Sequence, residues 1–472
     1  KEVRIGSEQA KVFPVRTILE TRLFGPLSEV LNVTVNDDGP SPKIHLTPEL
    51  LFPGLLPGEN LTRTTTLAAR GTILAADGEV LAQGPGRNSP IPGVANQIVG
   101  HLGPIPADEK GRYAAQGYPP DAQVGLNGLE RIFQHRLAGK PGGTLKAGHR
   151  ILASNVAVAG KTVKTTIVPS LEQAALSAIG SNLAGMTVMN PKTGGILAAV
   201  GIAFSDTQPP GSTMKIITSS AALQAGITTL NTTYPYTSSA TLNGYTMQNA
   251  GGEVCGGTLI NSFAVSCNAV FAPLGAKVGA QRFVAMAEKF GFNQPPPFPG
   301  ALQSTLPSAA KIGDDLAVGS SAIGQGMVLA SSLEMTDVAA TIADHGRRPI
   351  PTLAASVPPK FVRVIPSSIA NEVQDMMEAV VDYPNGTGTA AQIPGVKLAG
   401  KTGTAELTTT QGPGAQNNPN ANSAQNTDAW FVGYAPVGDP KVVVGALFPN
   451  QGAGGGTAAP AVRSVLVAAL QG

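Results

Sequence analysis

Hydrophobic patterning changes character near residue 160. Before it, apolar runs are short and punctuated by Pro and Gly. Val30 to Val35 is rich in β-branched residues and predicts a strand. Pro40, Pro42, Pro48, Pro53-Gly54 and Pro57-Gly58 then read as linker. Arg70 to Leu81 places two apolar runs about Asp77-Gly78, a hairpin signal. Leu126 to Leu137 carries Leu129, Ile132, Phe133 and Leu137 at helical spacing.

After residue 160 the periods lengthen. Pro169-Ser170 opens a helix running to Leu183, with Leu171, Ala174, Ala175, Ala178 and Ile179 as its stripe. Gly185 to Met189 and Gly195 to Val200 predict strands joined by the turn Asn190–Gly194. A helix is predicted over 212–225, stopped by Gly226, and a second buried one within Asn261 to Leu274. Val396 to Thr402, Ala429 to Tyr434 and Val442 to Leu447 read as strands, and Thr457 to Leu470 as a closing helix. Strands early and late with helices between them predict an α/β or α+β domain whose sheet joins both ends. No solenoid-type repeat is present.

Composition narrows this further. At 472 residues the chain has room for several domains. Hydrophobic content of 42% marks a folding chain. The net charge of +2 is spread out, and the only tryptophan is Trp430, so neither a basic footprint nor stacking platforms for nucleic acid are offered. No run reaches the ~18 apolar residues that a membrane span needs. A start at Lys1 with no signal-like segment reads as a mature or truncated chain whose anchor lies elsewhere. Cys255 and Cys267 are too few for a zinc site; a disulfide and two semi-buried thiols both remain open.

The candidate chemistry begins at Ser212-Thr213-Met214-Lys215. A serine and a lysine three apart at a helix start share one face, and a neutral lysine there can take the serine proton without any histidine. The first helical turn is a poor place for a structural cation, because the helix dipole opposes it, and a reasonable place for a lysine held as a base. Ser266-Cys267-Asn268 follows. Its Ser and Asn cannot share a helix face, so they fit a short loop between helices. Ser266 is a candidate proton relay, and Asn268 a partner for a substrate amide or for Lys215. Lys401-Thr402-Gly403-Thr404 ends an apolar strand. There Lys401 supplies positive potential, Thr402 and Thr404 offer hydroxyls to a carboxylate, and Gly403 permits close approach of a peptide added as a strand. The backbone N–H groups of Ser212 and Thr404 are candidate oxyanion-hole donors. Decoys exist at Ser308–Lys311 and Lys192-Thr193-Gly194. The first has no S-x-N after it, and the second precedes any nucleophile and sits in a turn. The stretch Thr408 to Asn426 is low-complexity and reads as a loop beside the site. The five histidines lie far from these motifs, which disfavours a Ser-His-Asp hydrolase.

The order S-x-x-K, S-x-N, K-T-G is that of serine β-lactamases and penicillin-binding proteins. The chain resembles class B penicillin-binding proteins, the peptidoglycan D,D-transpeptidases, over more than these motifs. Arg70-Gly71-Thr72-Ile73 with Asp77-Gly78 and Gly125–Glu130 with Leu137-Ala138-Gly139 resemble the family's N-terminal pedestal. Pro191–Ala198, Pro209–Ser212 and Trp430–Pro436 are similar to its catalytic-domain segments. Residues 1–57 resemble the tail of the extra module of MecA-type proteins, some of which are lipoproteins. Ala75-Ala76 stands where the family has Asp-Arg, and Ser212 follows Gly201 more closely than usual, through a short loop or missing residues.

The resemblance implies an N-terminal remnant (1–57), an elongated β-rich pedestal (58–160) and a transpeptidase domain (161–472) with a five-stranded antiparallel sheet between helices. It implies that Ser212 attacks the penultimate D-Ala of a stem peptide, with Lys215 as base, Ser266 relaying a proton, and Lys401 and Thr402 holding the terminal carboxylate. No metal or organic cofactor is implied. Partners would be D-Ala-D-Ala stem peptides, β-lactams and a glycan-polymerising membrane protein, at the outer face of the cytoplasmic membrane. A D,D-carboxypeptidase or β-lactamase-type hydrolase, a non-catalytic β-lactam sensor and a scaffold with a dead site are the rival readings.

Overall fold

The computed structural model describes residues 3–5, 11–36, 43–407 and 423–471. The loop expected at Thr408 to Asn426 lies outside the described residues except for its end, where Ala424–Asn426 forms one 3-10 turn. Two compact units are present. One comprises Lys1–Ile73, Val80–Pro90 and Val99–Val163, and the other Leu74–Glu79, Ile91–Ile98 and Lys164–Gly472.

The first unit is β-rich. Strand β1 (Val12–Thr21) pairs antiparallel with β2 (Gly25–Asn36), from Val12 opposite Thr34 to Thr21 opposite Gly25. The pattern at Val30 to Val35 therefore marked the end of a longer strand and missed its partner. Strands β3 (Leu61–Thr66), β4 (Gly142–Ala147) and β5 (Arg150–Asn155) form a second sheet in the order β5-β4-β3. The helix expected over 126–137 is two short ones, Gly128–Ile132 and Gln134–Leu137, broken at Phe133. The break lets Leu129, Phe133 and Leu137 all bury while Glu130 turns inward. Glu130 is fully buried and accepts from Arg70 and Arg87 at 2.6 Å each. A buried carboxylate is tolerated because two guanidiniums face it. A Cβ at Gly125 would lie 2.2 Å from the Glu130 carbonyl oxygen, so only glycine fits there.

The second unit contains helix α1 (Pro169–Ile179), then strands β6 (Gly185–Met189) and β7 (Ile196–Gly201). Next come α2 (Lys215–Gln224), α3 (Leu259–Ala264), α4 (Asn268–Val278), α5 (Ser332–Ala343) and α6 (Ser367–Asp382). Strands β8 (Ala399–Glu406), β9 (Thr427–Ala435) and β10 (Val442–Phe448) and helix α7 (Ala458–Gln471) complete it. The sheet is five-stranded in the order β7-β6-β10-β9-β8, and every neighbour is antiparallel. The early hairpin thus meets the late one at its centre.

Alternation along β10 shows why the sheet is covered on both faces. Val444, Ala446 and Phe448 join the core beneath α1 and α7, with Leu171, Ala175, Val462 and Leu466. Gly445 points the other way, where a Cβ would lie 2.2 Å from Thr336 Oγ1 of α5. Strands β7 and β8 are the two edges, and β8 carries Lys401-Thr402-Gly403-Thr404.

Candidate active site

Ser212 does not open an α-helix directly. Gly211–Met214 is a 3-10 turn and Lys215 is the first residue of α2. The helix is buried along nearly its whole length, from Lys215 to Leu223, so Lys215 enters the protein with it. The second predicted helix is also split. Residues 265–267 separate α3 from α4, and Ser266 adopts φ +62°, a left-handed conformation uncommon for serine. That break allows Ser266 and Asn268 to point the same way, which one continuous helix forbids.

Four motif side chains converge. The Lys215 Nζ lies 2.6 Å from the Ser266 carbonyl oxygen, 2.7 Å from Asn268 Oδ1 and 3.2 Å from Ser266 Oγ. Lys401 Nζ donates to Ser266 Oγ at 2.9 Å and to the Thr402 carbonyl at 3.1 Å. Ser266 Oγ therefore bridges two fully buried lysines. Burial drives the Lys215 amine well below the usual lysine range, and the nearby Lys401 pushes it further. Burial alone brings Lys401 down to about 7. Rings of Phe271 and Phe263 lie 5.5 and 5.3 Å from the two amines and help exclude water. Burial and a second cation therefore lower the Lys215 amine.

Wiring follows from donor counts. A neutral Lys215 amine has two hydrogens, which suit the carbonyl of Ser266 and Oδ1 of Asn268, both acceptors only. Its lone pair is left for the Ser266 hydroxyl, while Lys401 donates to that same oxygen. None of the Lys215 bonds goes to Ser212, so taking its proton requires the amine to exchange one of these partners.

Strand β8 sits against the turn that bears Ser212. A Cβ at Gly403 would lie 2.7 Å from the Pro210 carbonyl oxygen and 2.8 Å from Trp430 Cβ. Gly403 is required by this packing, and not only by approach of a peptide as the motif suggested. The Thr404 hydroxyl accepts from Gly454 N–H at 3.3 Å and keeps its own proton to donate. Thr402 Oγ1 contacts Thr387 Oγ1 at 2.6 Å.

Sequence reading missed Thr387 and Gln325. Gly324 accepts from Gly211 N–H at 2.9 Å. With its amide oriented to satisfy both bonds, Gln325 pairs with the Glu406 backbone N–H at 2.9 Å and carbonyl at 3.2 Å, closing the end of the β8 edge. Neither residue belongs to a pattern that spacing could reveal. Cys255 and Cys267 are joined by a disulfide that tethers the centre of Ser266-Cys267-Asn268. The decoy pair is not helical: Asn190–Gly194 is a turn, with Asn190 Oδ1 accepting from the Lys192 N–H, and Lys311 ends a turn on Ser308.

Residues 184–467 match the penicillin binding protein transpeptidase domain, and residues 82–164 the penicillin-binding protein dimerisation domain. The peptidoglycan D,D-transpeptidase PbpA of Mycolicibacterium smegmatis is 33% identical over 427 residues, covering 76% of this chain and 80% of that protein. PbpA of Mycobacterium tuberculosis is 33% identical over 377 residues, covering 66% and 73%. Among solved structures, penicillin-binding protein A of M. tuberculosis as its ceftriaxone acyl-enzyme complex superposes with TM-score 0.64 at 26% identity, covering 86% of this chain and 99% of that one. The D,D-transpeptidase domain from Eggerthella lenta superposes with TM-score 0.69 at 27% identity, covering 86% and 98%.

Proposed function

This chain belongs to the penicillin-binding protein transpeptidase family and is a peptidoglycan D,D-transpeptidase that β-lactams acylate, and we propose that Ser212 carries the acyl group. The observation supporting this assignment is that Lys215 and Lys401 meet on the Ser266 hydroxyl, with Asn268 bonded to Lys215, and that Lys215 stands one turn after Ser212.

On this reading Ser212 Oγ attacks the penultimate D-Ala carbonyl carbon and its proton passes to the neutral Lys215 amine. The N–H groups of Ser212 and Thr404 face the oxygen that becomes negative. The C–N bond then breaks, and the departing D-Ala amine takes a proton from Ser266, which Lys215 resupplies. The amine of a neighbouring stem peptide attacks the ester and gives up a proton along the same chain, and Ser212 is restored. Lys401 and Thr402 hold the terminal carboxylate. A lysine poised near neutrality serves here as a cation that a carboxylate can keep protonated.

No helix among the described residues is long and apolar enough to cross a membrane. We infer work at the outer face of the cytoplasmic membrane through an anchor outside this sequence, beside a membrane protein that polymerises glycan strands. We also infer that residues 58–160 serve as the pedestal and 161–472 as the transpeptidase domain, with residues 1–57 a remnant module.

Labelling with a fluorescent penicillin tests the nucleophile. Ser212→Ala is expected to abolish covalent labelling while leaving thermal unfolding unchanged. Equal labelling of the variant would reject Ser212, and rapid release of the penicilloyl group by the unaltered protein would favour a hydrolase.

A further inference from the structure

Thr387 is brought to the site by a turn built from glycines. A Cβ at Gly386 would lie 2.4 Å from the Val380 carbonyl oxygen, and one at Gly388 would lie 2.9 Å from Val380 Cγ1 and 3.1 Å from Phe431 Cε2. Only without these side chains can the segment after α6 fold onto its end. Thr387 N–H then donates at 3.1 Å to the carbonyl of Ala264, the last residue of α3 and two before Ser266. Its hydroxyl lies 2.6 Å from Thr402 Oγ1 and 3.3 Å from the same Ala264 carbonyl.

We propose that Thr387 is a positioning residue for carboxylate recognition, donating its proton to Thr402 so that the Thr402 hydroxyl points its own proton at the substrate. This rests on the reading above that Thr402 binds the terminal carboxylate.

Proton counting supports it. Each hydroxyl has one hydrogen, and Lys401 Nζ, 3.4 Å from Thr402 Oγ1, can offer that oxygen a hydrogen. In one arrangement Thr387 donates to Ala264 and receives from Thr402, which leaves nothing for a ligand. In the other Thr387 donates to Thr402, whose proton is free. The 2.6 Å contact survives in both. The second arrangement gives up only a 3.3 Å bond to a carbonyl that Thr387 N–H already satisfies. A carboxylate in the cleft selects the second, because a charge-assisted bond is stronger than that long one. Accepting from Thr387 also polarises the Thr402 O–H and improves it as a donor.

The test compares second-order acylation constants for benzylpenicillin and for its methyl ester, which lacks the anion. Thr387→Val is expected to slow the acid on the order of fivefold, the share of a charged hydrogen bond that orientation and polarisation carry, and to leave the ester unchanged. Thr387→Ser is expected to restore the acid rate. Thr402→Val is expected to show the same acid-selective loss, and adding Thr387→Val to it no further loss. Equal slowing of acid and ester by Thr387→Val, or additive losses in the double variant, would overturn the proposal. If Thr402→Val leaves the acid-to-ester ratio unchanged, the carboxylate role of Thr402 itself is wrong.

Discussion

Replacing Lys401 by methionine should make the transpeptidase unit more stable in mild acid and less stable in alkali. The Lys401 amine is fully buried and its pKa falls to about 7, against 10.5 for a free lysine. Between those values the unfolded chain holds a proton that the folded chain has released, so stability rises with pH across this window. Below pH 7 both states are protonated, and folding bears the whole cost of burying the cation. The shift of 10.5 to about 7 corresponds to about 5 kcal/mol at ~1.36 kcal/mol per unit. Methionine has a similar shape and no proton, so its stability curve lacks this slope. It also lacks the bonds to Ser266 Oγ and the Thr402 carbonyl, a loss of about 1–3 kcal/mol. The variant should therefore gain about 2–4 kcal/mol near pH 6 and lose about 1–3 kcal/mol only above about pH 11, where the unfolded lysine is also neutral, with a crossing between. Removing Lys401 also relieves its repulsion of Lys215, which acts in the same direction at low pH. Trp430, the single tryptophan, is buried on β9, so its fluorescence in urea reports this unit. Titrating groups other than Lys215 are common to both proteins and cancel in the difference. A variant less stable than its parent at pH 6, or a difference that does not change with pH, would refute the reasoning.

Other consequences are equally open to measurement. Reducing the Cys255–Cys267 bridge, which closes a separation of 12 residues, should cost about 3 kcal/mol of stability in urea unfolding, and intact mass without reductant should show both thiol hydrogens missing. Gly403→Ala places a methyl 2.7 Å from the Pro210 carbonyl; it should push the Ser212 turn off the strand and slow penicillin labelling by about 10²-fold. Glu130→Ala strands the Arg70 and Arg87 guanidiniums in the first unit, costing about 3–5 kcal/mol, seen as faster amide exchange across residues 128–137, while Glu130→Gln should cost less.

What could be read from the chain was local. Continuous apolar runs located the strands of the sheet to within a few residues, because a strand buried on both faces is apolar throughout, as β10 is from Val442 to Phe448. Four-residue spacing located α1 and α7. Neither α5 nor α6 was foreseen. In α5 every position from Ser332 to Ala343 except Glu334 is buried, which leaves no polar face to give a period. Helix α6, by contrast, buries Ala370, Val373, Met376, Met377 and Val380 on one face and exposes Asn371 and Asp375 on the other, a helical period that was overlooked.

The motif order Ser212-x-x-Lys215, Ser266-x-Asn268, Lys401-Thr402-Gly403 determined the class of chemistry by itself, because those residue types serve one kind of acyl transfer whatever lies between them. Tertiary structure decided how they connect. Only folding shows that Lys215 points at Ser266 and Asn268 rather than at Ser212. Only folding places Lys401 on the same hydroxyl from a strand 135 residues away. Thr387 and Gln325 acquire roles solely from packing. The physical reason is that a side chain's identity limits what it can donate or accept, whereas its protonation and its partner depend on burial and on neighbours that distant parts of the chain supply.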